Sequence, residues 1–289
     1  MRISIIIPAH NEAKYLGDCL DALVAQTSTP DEVLIVDDNS SDDTFSIAST
    51  YSDKFDWIRV FQRKSIDEHI PGKKVVDTFN FGLQHASGFD LIGKFDADII
   101  LPPNYFEVML NHFQSNWKLG MCSGLLYVNK EKKWVYENIA DKDHIRGPIK
   151  LYHKACFNKI DGLRPGVGWD TVDVLLAKYH DFEIKTDSSL KVEHLRPTGH
   201  GYSSKNYKAK GEALYKMRYG ILLTKIAALK MAWQAKNPNL FFQMLIGHSK
   251  AAIRQLPRYV SKEEGIFIRK YRWKGIWSKI SRNNFSSQS

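Results

Sequence analysis

Cysteine is scarce in this chain of 289 residues: Cys19, Cys122 and Cys156 stand far apart, and no CxxC pair occurs. That argues against a secreted disulfide framework and against a zinc ribbon. A chain of this length buries enough surface to fold without covalent staples. Long hydrophobic runs are also missing. No stretch of about 18 uncharged apolar residues exists, so no spanning helix is predicted. The most apolar segment, Tyr219 to Trp233, is interrupted by Lys225 and Lys230. Met1 and Arg2 lead straight into Ile3-Ser4-Ile5-Ile6-Ile7, too short a run for a secretory leader and without a cleavage site. These absences predict a cytoplasmic protein. Internal repeats and low-complexity tracts are absent as well.

What is present is ordinary in kind and uneven in place. With 43% hydrophobic and 25% charged residues, the composition is that of a globular domain, not of a disordered, collagen-like or coiled-coil chain. The net charge of +9 is not evenly spread. Lys205 to Ser289 holds 18 basic and 3 acidic residues (Glu212, Glu263, Glu264), a net +15, while Met1 to Ser204 holds 23 basic and 29 acidic residues, a net −6. An acidic body with a basic tail points to two tasks, and the tail's partner is expected to be anionic.

The first hundred residues alternate. Ile3 to Ile7, Glu32 to Val36, Trp57 to Phe61 and Asp90 to Phe95 are strand-like. Glu12 to Ala25, Ser41 to Tyr51 and Lys73 to Ala86 carry apolar residues at helical spacing, the second with Asn39, Ser40 or Ser41 as its cap. This order predicts an α/β fold with a mostly parallel sheet flanked by helices. Beyond Asp98 the pattern predicts a helix over Asn104 to Phe113 and a strand over Leu119 to Val128. A hairpin or loop follows at Asn129 to Lys133, then a short strand at Ile149 to His153. A helix over Asp170 to Tyr179 and two strands, Phe182 to Lys185 and Leu190 to His194, complete the body. From Lys205 onward the sequence predicts three or four helices, broken near Asn237-Pro238 and Leu256-Pro257.

Ligands of doubly wound sheets bind at the carboxyl ends of the strands. Three polar turns stand there. The first is Pro8-Ala9-His10-Asn11-Glu12, which alone is explained by a helix start with Asn11 as N-cap. The second is Asp37-Asp38-Asn39-Ser40-Ser41-Asp42-Asp43. Surplus acid at a helix start explains Asp42 and Asp43 better than Asp37 and Asp38, which a nucleotide's N–H and O–H donors would satisfy. The third is Asp96-Ala97-Asp98. Residues two apart in a strand share a side, so both carboxylates can converge on a hard cation such as Mg²⁺. His194 ends the last strand; a lone histidine is most often structural, and it gains a role only beside Asp98. Asp170 opens a helix after Gly166-Val167-Gly168, as a dipole partner or as a general base, with Asp173 one turn on. Lys73 and Lys74 open the third helix, as a phosphate contact or a solvated pair.

Together these motifs resemble family 2 of the glycosyltransferases, which have a GT-A (Rossmann-like) fold. The P-x-x-N-E turn is Pro8, Asn11 and Glu12; the V-D-D-x-S-x-D-x-T turn runs from Val36 to Thr44; the DxD-type turn is Asp96-Ala97-Asp98. The resemblance covers about residues 1 to 200. It implies a catalytic domain over residues 1–204 and a basic helical appendage over 205–289. It implies that Pro8, His10, Asn11, Glu12, Asp37 and Asp38 hold base and ribose, that Lys73, Lys74, Asn80, Asp96 and Ala97 lie along the nucleotide-sugar, and that Asp98, His194 and Asp96 hold Mg²⁺ or Mn²⁺. Asp170, with Asp173 as the alternative, would be the base. Two departures stand out: Trp169 replaces a Glu, and no Arg precedes Asn80 where the family has A-R-N-x-G, although Gly82 matches.

The implied activity is inverting, divalent-metal-dependent, hexosyltransferase-type transfer of one sugar from a UDP- or GDP-sugar to an acceptor hydroxyl. The Q-x-x-R-W motif of processive synthases is missing, which points to single addition. The acceptor would be a saccharide or lipid-linked saccharide of cell-surface glycan synthesis. The basic, aromatic-rich tail would meet that acceptor, an anionic membrane at the inner face, or a second subunit in a homodimer; packed helices with a solvated basic face are the alternative. Two other functions compete. A nucleotidyltransferase of related fold would carry a Gly-rich first loop, which PAHNEA lacks. A non-catalytic membrane- or nucleic-acid-binding protein leaves Asp38, Asp96, Asp98 and Asp170 without a purpose, so nucleic acid is not an expected partner.

Overall fold

A computed structural model describes residues 1–65, 72–139, 141–197 and 205–286. The chain falls into two compact units: Met1–Pro165 with Trp169–His200, and Gly166–Gly168 with Gly201–Ser289. The division expected after residue 204 falls beside residues 198–204, outside the described set.

In the first unit the elements are, in order, β1 (Ile3–Ala9), α1 (Leu16–Val24), β2 (Glu32–Asp37), α2 (Thr44–Lys54), β3 (Ile58–Gln62), α3 (Lys73–Leu83), β4 (Leu91–Phe95) and β5 (Ile99–Ile100). They continue with α4 (Tyr105–Ser115), β6 (Leu119–Lys130), β7 (Lys133–Tyr136), β8 (Ile149–His153), α5 (Lys154–Lys159), α6 (Trp169–Tyr179) and β9 (Glu183–His194). The sheet order is β3-β2-β1-β4-β8-β6-β9-β5, with β7 beside β6. β3, β2, β1 and β4 run parallel, as do β6 and β9; β8 lies antiparallel between β4 and β6, and β5 antiparallel to β9. β1 and β2 read as unbroken apolar runs because both faces of a parallel sheet are covered by helices; Ile5, Ile6, Ile7 and Val33 to Val36 are all fully buried. Leu16, Leu20 and Leu23, one face of α1, pack into the same core as Ile5, Ile7 and Ile35. Each such leucine contributes about 1.5–3 kcal/mol by leaving water.

Several local expectations are corrected. α1 starts at Leu16, four residues after Glu12, and Asn11 does not cap it. Asn11 has φ 55°, and its side-chain oxygen accepts from the Ser41 amide at 2.8 Å, so it ties the first turn to the second. α2 starts at Thr44, whose amide donates to Asp42 at 3.1 Å; none of Asn39, Ser40 or Ser41 caps it. The two strands expected over 182–194 are one, β9. The polar Asp187-Ser188-Ser189 looks like a gap, but the strand continues through a register shift opposite Ser123 and Leu125. β5, of two residues, was not visible in the pattern; β7 is the arm of a hairpin with β6 across Glu131 and Lys132, both at positive φ, where a hairpin or loop was expected.

The second unit carries α7 (Lys205–Lys216), α8 (Gly220–Gln234), α9 (Pro238–Ile253) and α10 (Lys262–Ser286), with breaks where Asn237-Pro238 and Leu256-Pro257 predict them. α7 and α9 cross at two glycines. A Cβ on Gly211 would lie 1.8 Å from the Met244 carbonyl oxygen, and one on Gly247 would lie 2.0 Å from the Lys208 carbonyl oxygen. Backbone cannot yield as a flexible side chain does. Gly247→Ala is therefore expected to cost about 1–3 kcal/mol or more, read as a lowered denaturation midpoint. Exposed Ser249→Ala is the matched control, and equal midpoints would disprove the close crossing.

Candidate active site

The parallel strands deliver their carboxyl ends to one side of the sheet, and a pocket of about 320 Å³ opens there. Its walls are Pro8, Ala9, His10 and Glu12 after β1, Asp38 after β2, Lys74, Val75 and Thr78 of α3, Asp96 to Asp98 after β4, and Arg196 after β9. The short β5 sets the geometry of the floor: Ile99 pairs with His194, so Asp98 and His194 become neighbours although 96 residues apart.

Asp98 Oδ1 lies 3.6 Å from His194 Nε2, and Asp98 Oδ2 accepts from Arg196 Nε at 3.1 Å. His194 Nδ1 stands 3.1 Å from buried Glu137 Oε2, which Arg146 also approaches at 3.3 Å. Asp96 accepts from the buried Lys94 ammonium. Ligand atoms of Asp96, Asp98 and His194 all lie within 4.8 Å of one another. The pattern alone could not place the histidine there; the fold does.

Electrostatics follow from burial and pairing. Burial would raise Asp98, but its bonds to His194, with Arg196 and Lys94 nearby, hold the carboxyl below its ordinary value. Burial would lower His194, yet the facing carboxylates of Asp98 and Glu137 raise it to about 9. Glu12 is raised, because burial outweighs its bond to Arg196. One oxygen of Glu12 accepts from Arg196; the other is buried without a hydrogen-bond partner among the described residues, as is one oxygen of Asp37.

The remaining expected residues divide. Asp38 Oδ1 accepts from Arg63 at 2.9 Å, and its carbonyl takes the His10 Nδ1–H at 2.7 Å. Asp37 is buried at the end of β2 and does not line the pocket. Lys74 faces the pocket; Lys73 instead pairs with Asp77 one turn on, as i,i+4 opposite charges do. Asn80 and Asn11 are not pocket walls. Asp170 opens α6, where its carbonyl accepts from Lys150 at 2.7 Å and its side chain stands beside Gly147. Asp173, the alternative base, is placed in the core. It is 1% exposed, bound by Lys150 at 2.7 and 2.8 Å and by the Tyr152 hydroxyl at 2.5 Å, and so ties α6 to β8. Trp169 lies with Lys94 at 5.3 Å and Lys150 at 5.4 Å from its ring centroid, a cation–π partner for two buried ammoniums.

Sequence reasoning missed Arg196, Arg63, Lys94 and Glu137. Arg196 had a signal, since it stands two residues after His194 and past the strand end. Lys94 had one too: a lone charge inside an apolar strand needs a partner. Glu137 had none.

A Rossmann-like sheet with an acidic pocket at its parallel strand ends is the GT-A class. Residues 4–163 match the family described as Glycosyl transferase family 2, and the chain belongs to that family. It is 32% identical over 117 residues to a chondroitin synthase of Escherichia coli, covering 40% of this chain and 16% of that protein. It is 30% identical over 111 residues to a hyaluronan synthase of Pasteurella multocida, covering 38% and 11%. The chain thus spans less than a fifth of the length of these two relatives. Among solved structures it shares its fold with a mannosyltransferase of Pyrobaculum calidifontis, PcManGT, in complex with GDP-Man and Mn²⁺ (TM-score 0.59, 16% identity, 95% of this chain and 80% of that one). It shares it also with S. aureus TarS 1-349 in complex with UDP-GlcNAc (TM-score 0.57, 18% identity, 80% and 67%).

Proposed function

We propose that this chain transfers a single sugar, with inversion and with a divalent metal, from a UDP- or GDP-sugar to a hydroxyl of a saccharide or lipid-linked saccharide acceptor in cell-surface glycan synthesis. The observation that carries the proposal is the grouping of Asp96, Asp98 and His194, whose ligand atoms lie within 4.8 Å of one another, at a pocket that the two carboxylates line. Two carboxylates and one imidazole suit Mn²⁺ and accept Mg²⁺, so the residues fit the group. A bound cation would neutralise the diphosphate and improve it as a leaving group.

The chain's own residues would do the rest. Asp38 and Glu12 offer acceptor oxygens to the N–H and O–H groups of base and ribose, and the unpartnered Glu12 oxygen is suited to a hydroxyl. Lys74 and Arg196 bring positive charge to the phosphates. Asp170 would take the proton of the attacking hydroxyl, leaving that oxygen to displace the diphosphate in line; such positioning can supply roughly 7–11 kcal/mol. On this reading residues 1–204 are the catalytic domain, and 205–289 meet acceptor, membrane or partner subunit. The solved relatives in complex with GDP-Man and Mn²⁺ and with UDP-GlcNAc support the donor class. The test is turnover of a UDP- and GDP-sugar panel with and without Mn²⁺ or Mg²⁺, with the product's anomeric configuration read by NMR. No binding and no turnover across the panel would defeat the proposal.

The paired histidine adds a pH dependence. Without metal, His194 stays protonated up to about 9, and a ligating imidazole must be neutral. Binding therefore expels one proton, and Mn²⁺ affinity is expected to rise up to about tenfold per pH unit below that value. Calorimetry at pH values between about 6 and 8 reads it; a flat affinity would remove His194 from the ligand set.

A further inference from the structure

The second unit holds a surface that donor binding does not use. Between Glu212 and Glu263 the chain has no acidic residue and nine basic ones. Within that stretch α8 leaves Leu222, Leu229 and Trp233 exposed at 58%, 62% and 83%. Their spacing of seven and four places them on one face of the helix. α9, which packs against α8, leaves Phe242, Ile246 and Ile253 exposed at 59%, 40% and 81%, again at one-face spacing. The opposite sides of both helices already supply the packing: Leu223, Ala228 and Ala232 on α8 and Leu240, Met244 and Ala251 on α9 are buried. The exposed stripes are therefore surplus to the fold, and apolar stripes of this kind mark contact surfaces.

Charge selects the occupant. Lys225 and Lys230 on α8, Lys250 on α9 and Arg254 just past its end are exposed beside the stripes. Long cationic side chains can lie along an apolar surface with their heads at a polar boundary. Among the described residues no helix is long and apolar enough to cross a membrane. Exposed apolar side chains flanked by lysines, on helices that do not span, suit the plane of a bilayer interface. A second copy of this chain would bring the same uncompensated positive charge against itself. Single-stranded nucleic acid would use aromatic platforms for its bases, where these stripes are largely Leu and Ile.

We propose that α8 and α9 form a docking surface for an anionic lipid bilayer, with Leu222, Leu229, Trp233 and their α9 counterparts entering the headgroup boundary. None of its residues lines the donor pocket, and its test does not depend on sugar transfer.

The test is flotation of the full chain with phosphatidylcholine vesicles and with vesicles that also contain phosphatidylglycerol. Binding is expected to the anionic vesicles only, and to weaken as salt shortens the reach of the charges. Leu229→Glu with Trp233→Glu is expected to lower it by about tenfold or more; thermal melting, run in parallel, should be unchanged, since both residues are exposed. Lys225→Glu with Lys230→Glu should weaken binding without touching the apolar stripe. Failure to float with anionic vesicles, or undiminished flotation of both variants, overturns the proposal. So does a concentration-dependent dimer in sedimentation that the Leu229/Trp233 variant abolishes, or retention on nucleic acid in place of lipid.

Discussion

Asp98→Ala is expected to abolish Mn²⁺ binding by the free protein and to lower turnover of the accepted nucleotide-sugar by about a thousandfold or more, because a metal on the leaving group is worth several kcal/mol in the transition state. The expectation rests on where the carboxylate sits. It is the residue that both His194 and Arg196 face, at 3.6 and 3.1 Å, and it stays ionised despite burial. Asp96 has a second cation in Lys94, so its loss should weaken the metal less. Arg196→Ala should separate two contributions. In the ligand-free site Arg196 neutralises Asp98 and Glu12, the work a metal would otherwise do. Its removal is expected to raise Mn²⁺ affinity in the absence of donor and to lower affinity for the nucleotide-sugar, both read by calorimetry. Unchanged metal binding in Asp98→Ala would mean that the acidic turn is not the metal site.

How much of this was legible in the sequence depends on the range of the interaction. β1, β2, β3 and β4 and the helices between them show in the pattern because burial on both faces of a parallel sheet demands unbroken apolar runs, and a helix demands a 3.6-residue stripe. Asp38, Asp96 and Asp98 were findable because they end such strands. What failed were features set by partners distant in sequence. Asn11 looks like a cap but spends its carbonyl on Ser41. β9 survives the polar Asp187-Ser188-Ser189 because β6 shifts register to meet it. Arg196, Glu137 and Arg63 reach the site only through cross-sheet geometry. The Gly211 and Gly247 crossing leaves no local mark, since a glycine in a helix looks merely unfavourable until the opposing carbonyl is seen.

Asp173→Ala is expected to destabilise the fold by about 3–5 kcal/mol, while Asp170→Asn changes stability by roughly 0.5 kcal/mol or less and removes transfer. Asp173 and Lys150 are both fully buried, and the Tyr152 hydroxyl completes the cluster. Burial pushes the Asp173 carboxyl up, and Lys150 and Tyr152 pull it back. Deleting the carboxylate leaves an ammonium in the core with the Asp170 carbonyl and the Trp169 ring as its remaining partners. Removing both charges together is a different experiment. Lys150→Met with Asp173→Leu should recover much of the loss, because a buried pair replaced by apolar groups of similar volume is often neutral. Denaturant midpoints of the singles and the double measure this coupling, and donor-dependent transfer measured on the same proteins assigns the base. Should the double variant fold and still transfer sugar, Asp173 serves only as an anchor; should it fold and lose transfer while Asp170→Asn retains it, the base lies elsewhere than Asp170. The buried cluster and the half-exposed acid three residues before it are thus distinguishable by stability and by turnover separately, which is the distinction that their shared helix face conceals in the sequence.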